Sequence, residues 1–115
     1  MHGICHIEIP TTDANKSKEF YGRIFGWEFE DGLGGEYVTF KPPEGVGGGF
    51  DKERKPCTDG VAIYIEVEDI ESKLTEIEGA GGKKLVPKTK ISDEYGYYAM
   101  FLDPVGNSVG LWSKK

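Results

Sequence analysis

Few side chains in this 115-residue chain can do chemistry, and their spacing narrows what that chemistry could be. It has two histidines, His2 and His6, and two cysteines, Cys5 and Cys57. In Ile4-Cys5-His6-Ile7-Glu8-Ile9, polar and apolar residues alternate, so a β-strand would carry Cys5, Ile7 and Ile9 on one face and His6 and Glu8 on the other. An imidazole beside a carboxylate suits general acid/base work, with Glu8 as base and His6 as its partner. The structural alternative is a mutually satisfied pair or a solvated sheet face. A zinc, nickel or iron site needs three or four His, Glu, Asp or Cys ligands at about 2.0–2.3 Å. His2 lies in a terminus expected to fray, so His6 with Glu8 and Glu66 would make at most a weak, oxygen-rich divalent site.

The remaining reactive groups imply less. Cys5 reads as a buried strand thiol and Cys57, after Pro56, as an exposed loop thiol; no CxxC occurs, and neither a thiolate metal site nor a disulfide framework follows. The run Gly45-Val46-Gly47-Gly48-Gly49 is not a phosphate loop, because no Gly-Lys-Ser/Thr follows and it opens no helix. Its glycines read as a tight bend or a close backbone approach.

The elements that must position these groups are legible. After the first strand, Asp13 is an N-cap, Phe20, Tyr21, Ile24 and Phe25 share a helical face, and Gly26 stops the helix. Trp27 to Glu30, Tyr37 to Phe40 and Gly45 to Phe50 read as strands, divided by turn signals at Asp31-Gly32, Gly34-Gly35 and Pro42-Pro43. The pattern then repeats: Val61, Ile63, Ile65 and Val67 alternate with Ala62, Tyr64 and Glu66, and Asp69 caps a helix with Ile70, Leu74 and Ile77 inward, ended near Gly79. Lys84-Leu85-Val86, Tyr97 to Leu102 and Ser108 to Trp112 supply three more strands, the last two joined by an Asp103-Pro104-Val105-Gly106 turn. Placing Asp13 on Asp69 also lays Ile7 on Ile63, Ile9 on Ile65 and Gly26 on Gly82, so the chain reads as two βαβββ modules. The length suits one domain over 1–115, with modules of about 1–50 and 60–115 and a mixed-charge linker of about 51–59.

The composition, 37% hydrophobic and 30% charged, supports a packed core. A net charge of −6 argues against nucleic acid and anionic membrane as partners. No apolar run reaches the roughly 18–20 residues of a membrane span, and Met1 to Pro10 lacks the regions of a signal peptide, so a cytoplasmic location is expected.

The segments Glu8 to Asp13, Phe20-Tyr21-Gly22-Arg23-Ile24-Phe25-Gly26-Trp27, Val67 to Ile70 and Asp103-Pro104-Val105-Gly106-Asn107 resemble the vicinal oxygen chelate superfamily, which holds glyoxalases, bleomycin-resistance proteins and dioxygenases. The branch they look most like is that of enzymes related to lactoylglutathione lyase. The resemblance covers essentially the whole chain. It implies an α+β fold in which two βαβββ modules form a curled mixed sheet around a cleft, and a homodimer. In metal-using members, ligands come from the first and last strands of each module. His6 matches the first of these positions; the others fall on Ala62, on Gly110 and among Gly47 to Phe50, so no metal cofactor is expected beyond a weakly held divalent ion. The candidate ligand pocket comprises Ala62, Tyr64, Glu66, Phe50, Ser108 and Trp112, with Glu8 and His6 as candidate catalytic groups. Three readings stay open: a metal-free small-molecule-binding protein of the bleomycin-resistance kind, a lyase or isomerase using Glu8 and His6, and an accessory interaction domain. Classical glyoxalase I activity, which depends on the metal, is not expected.

Overall fold

A computed structural model describes residues 1–32 and 37–115; the Gly34-Gly35 turn signal lies outside the described residues. The chain divides into two compact units, Met1–Pro56 and Cys57–Lys115. Each is a βαβββ module, so the fold is α+β and the internal repeat is structural.

The first unit contains β1 (Ile7–Pro10), α1 (Ala14–Phe25), β2 (Glu28–Gly32), β3 (Tyr37–Lys41) and β4 (Gly48–Asp51). The strand order is β1-β4-β3-β2, with β1 and β4 parallel and the other pairs antiparallel. Asp13 starts α1 by accepting from the Lys16 amide at 3.1 Å, and Gly26 ends it with a left-handed φ of 71°. The helix packs Phe20, Tyr21 and Ile24 on one face of the sheet, where Ile9, Trp27, Val38, Phe40 and Phe50 are also buried. Trp27 stacks between Tyr21 and Phe40, with ring centroids 4.8 and 4.7 Å away. Aromatic contact of this kind adds to the area buried.

Two expectations for this unit are corrected. Cys5 is exposed rather than a buried strand thiol, because β1 begins at Ile7, where its pairing with Gly48 begins, and among the described residues no strand pairs with the residues before it. Asp31-Gly32 is not a turn but the end of β2, paired with Val38 and Tyr37. The glycine run has a plain role: a Cβ on Gly48 would overlap the Ile7 carbonyl, so glycine there lets β1 and β4 approach.

The second unit contains β5 (Tyr64–Glu66), α2 (Ile70–Gly79), β6 (Lys83–Ser92), β7 (Gly96–Leu102) and β8 (Ser108–Ser113), in sheet order β5-β8-β7-β6. Asp69 caps α2 by accepting from the Ser72 amide at 3.1 Å, and Ile70, Leu74 and Ile77 pack it over Ala99, Phe101, Val109 and Leu111. β5 is shorter than the alternation suggests: pairing with β8 starts at Tyr64, and Val61 is 99% exposed. β6 runs ten residues, where three were expected, as an irregular edge strand carrying lysines and Pro87. Such features protect an exposed edge from further pairing. The Asp103 turn forms as expected, with the Gly106 amide donating to the Asp103 carbonyl at 3.1 Å. No helix among the described residues is long and apolar enough to cross a membrane.

Candidate functional site

In the first unit, directly paired residues share a face of the sheet, so Glu8, Gly49 and Thr39 lie together on the side away from α1, and Tyr37 follows two residues from Thr39 on the same side. The Tyr37 ring covers Gly49, where any Cβ would overlap it. Its hydroxyl reaches two of the residues expected to act: it donates to Glu8 Oε2 at 3.0 Å and lies 2.7 Å from His6 Nε2. The His6 and Tyr37 rings are stacked at a centroid distance of 6.2 Å. Arg54 closes the far side of Glu8, its Nε 3.4 Å from Glu8 Oε1 and 3.4 Å from Asp51 Oδ2. These ion pairs are partly exposed and contribute orientation more than stability.

Burial, the hydrogen bond to Glu8 and the negative charges of Glu8 and Asp51 push the Tyr37 phenol up from 10.0 to about 12. Tyr37 is therefore a neutral hydroxyl at ordinary pH, a donor and acceptor rather than a phenolate. A raised folded-state pKa gives a stability contribution that is complete below about pH 10 and lost as pH rises towards 12. The stability difference between wild type and Tyr37→Phe is accordingly expected to shrink over that window. Urea titrations at stepped alkaline pH measure it, and a flat difference would contradict this environment for Tyr37.

In the second unit the face away from α2 carries a different chemistry. Tyr64 pairs with Gly110 and Gly110 with Met100; Glu66 pairs with Trp112 and Trp112 with Tyr98. Tyr64 is 53% exposed, and its ring lies over Gly110 where a Cβ would project. The Trp112 indole donates to the Tyr95 carbonyl at 2.7 Å, which fixes its plane. Tyr64, Tyr98, Met100 and Trp112 thus make an aromatic and thioether surface with Glu66 at its margin. Ser108 is half-buried at the start of β8, and Ala62 is exposed just ahead of β5.

The candidate residues therefore fall into two groups. His6 and Glu8 are joined through Tyr37 in one unit, and Tyr64, Glu66, Ser108 and Trp112 share the strands β5 and β8 of the other. Phe50 is a correction: it pairs with Ile9 and Val38, is 1% exposed and packs in the aromatic core, so its ring faces α1 and not a ligand on the Glu8 side. Sequence reasoning missed Tyr37 and Arg54. The alternation of Tyr37 and Thr39 with the apolar Val38 and Phe40 was the available signal for Tyr37; Arg54 lay in the stretch read as linker.

The donor set does not fit a tightly held divalent metal. Ala62 and Gly110 carry no ligand atom, and the last-strand positions Gly49 and Gly110 are each roofed by a tyrosine ring, so a liganding side chain at either would have to displace it. Among the described residues, no group of three or more His, Cys, Asp or Glu side chains could hold a metal ion.

Comparison with known proteins agrees with the architecture. The sequence profile of the Glyoxalase/Bleomycin resistance protein/Dioxygenase superfamily matches residues 3–111. A glyoxylase-like domain-containing protein of Didymella fabae is 29% identical over 120 residues, which cover 94% of this chain and 91% of that one. Among solved structures, the genomically encoded fosfomycin resistance protein FosX of Listeria monocytogenes superposes with a TM-score of 0.80 at 18% identity, covering 100% of this chain and 95% of its own. TnmS3, an antibiotic binding protein of Streptomyces sp. CB03234, gives 0.75 at 19% identity over 100% and 98% of the two chains. At such identities the structures share the fold.

Proposed function

Because the chain belongs to the glyoxalase/bleomycin resistance protein/dioxygenase superfamily, we propose that it is a small-molecule-binding protein that works without a resident divalent metal. The observation that carries this reading is the Tyr64 ring lying over Gly110 beside the fixed indole of Trp112: an aromatic surface stands where the superfamily resemblance puts a metal-ligand position. Aromatic rings with a few polar groups at their edge are the usual lining of a small-molecule site. An antibiotic binding protein built on the same fold supports binding as a role that this scaffold can fill. A ligand that binds the native state raises the melting temperature by mass action, by about 2.7 kcal/mol of stability at one hundred times its Kd.

The test is a melting screen with planar aromatic probes such as indole, quinoline and 1-naphthol. At least one probe is expected to raise the wild-type melting temperature, and the rise is expected to disappear in Trp112→Ala and in Tyr64→Ala, whose side chains lie outside the buried core. A rise that survives both substitutions, or no rise with any probe, would overturn the reading. A second reading, lyase or isomerase chemistry with His6 and Glu8 as acid and base, is favoured by one observation, the hydrogen-bonded chain that links them through Tyr37.

A further inference from the structure

On the second unit, the aromatic face has a carboxylate beside its rings and no cation near it. Glu66 is exposed in β5 and pairs directly with Trp112, which pairs with Tyr98; Tyr64 lies two residues before it on the same face. Among the described residues the ion pairs involve Asp31, Glu8, Asp51, Glu76 and Asp93, and neither Glu66 nor Lys114, which follows β8, is in any of them. Lys84 and Lys90 pair with Phe101 and Tyr97, on the α2 face of the sheet, and Lys88 Nζ lies over the Tyr97 ring, 4.6 Å from its centroid. Lys83 does share the Glu66 face, beside Leu102 on the opposite edge. The strand spacing and the rise along the strands put it roughly 20 Å from Glu66, beyond a screening length of about 8 Å at physiological salt.

We propose that the ligand of this face is an aromatic organic cation, its ring on Tyr64 and Trp112 and its positive charge against Glu66. This rests on the small-molecule-binding reading and adds the charge of the ligand to it. The rings favour the same partner as the carboxylate, because the face of an aromatic ring is negative and attracts cations, tryptophan most strongly. The Trp112 N–H is already given to the Tyr95 carbonyl, so what the indole offers a ligand is its π system. A neutral planar molecule seated there would strip water from Glu66 and return nothing to it, which is costly for a charged group. A cation of the same shape compensates that loss and interacts with the ring face as well.

Isothermal titration calorimetry of the full chain with two probes of matched size tests this: N-methylquinolinium, a permanent cation, and 4-methylquinoline, which is neutral under mildly alkaline conditions. Wild type is expected to bind the cation about three- to tenfold more tightly. In Glu66→Gln, an exposed position where the fold is retained, the preference is expected to vanish while 4-methylquinoline binds as before. Glu78→Gln removes the same charge from the exposed side of α2, across the sheet, and is expected to keep the preference, which separates a local partner from the attraction of the chain's net charge of −6. Equal binding of the two probes to wild type, a preference that survives in Glu66→Gln, or one lost equally in Glu78→Gln would each overturn the inference and leave the binding reading standing. Binding of neither probe would overturn both.

Discussion

Phe50→Ala is expected to lower the unfolding free energy by about 3–5 kcal/mol, the range for removing a buried aromatic ring from a packed core. Phe50 is 1% exposed, and its ring centroid lies 5.7 Å from that of Tyr21, 6.1 Å from Phe29 and 5.3 Å from Phe40. Truncation would leave a cavity among rings that cannot all collapse into it, since Tyr21 is pinned by α1 and Phe40 by β3. Urea denaturation measures the loss. The same substitution distinguishes the core assignment from the sequence expectation that Phe50 lines a ligand pocket, because a pocket residue would change binding at little cost in stability. A loss below about 1 kcal/mol would place the ring outside the core.

Asp103→Ala is expected to cost about 3 kcal/mol, and Asp103→Asn clearly less. The carboxylate is 3% exposed and organises the turn between β7 and β8: Oδ1 accepts from the Val105, Gly106 and Asn107 amides at 3.1, 3.0 and 2.9 Å, and Oδ2 from Asn107 Nδ2 at 3.0 Å. Removing it takes an acceptor from the buried Asn107 amide and Nδ2 and from the half-buried Val105 amide, each worth about 1–3 kcal/mol when unsatisfied, while the Gly106 amide keeps the Asp103 carbonyl. Asparagine keeps one oxygen for the amides, which is why it should be milder. Asn107 in turn accepts from the Cys57 amide at 3.4 Å, and the Ser108 amide donates to the Cys57 carbonyl, so the turn also ties down the start of the second unit. Equal losses in the two variants would show that the oxygen partners of the turn are unimportant. The Asp-Pro-Val-Gly-Asn segment that helps carry the family resemblance is thus a structural fastening.

What the sequence revealed and what it hid follow from the range of the forces involved. Asp13, Gly26 and Asp69 mark helix ends through bonds to residues a few positions away, and these were legible because the physics is local. Alternation likewise separated Glu8 from Ile9 and Tyr64 from Ile65. It reports which face a side chain takes, however, and not whether a neighbouring strand is there to cover it, so Cys5, expected to be buried, is exposed, and Val61 is 99% exposed although it alternates in step with Ile63 and Ile65. Phe50 follows three glycines, and a run without side chains has no alternation from which to read its face. Tyr37 and Arg54 were invisible as partners of Glu8 because they meet it only through the register of β3 on β4 and β4 on β1, and through the turn after β4. Such pairings are set by the whole sheet.

The measurement that bears most directly on the metal-free reading is the melting temperature of tag-free protein with and without Ni, Zn, Mn, Co and Fe(II), alongside elemental analysis of the same preparation and of His6→Ala. The account predicts substoichiometric metal and no stabilisation by any ion, because Ala62 and Gly110 offer no ligand and Tyr64 lies over Gly110. A stoichiometric ion that raises the melting temperature by several degrees and is lost in His6→Ala would contradict it.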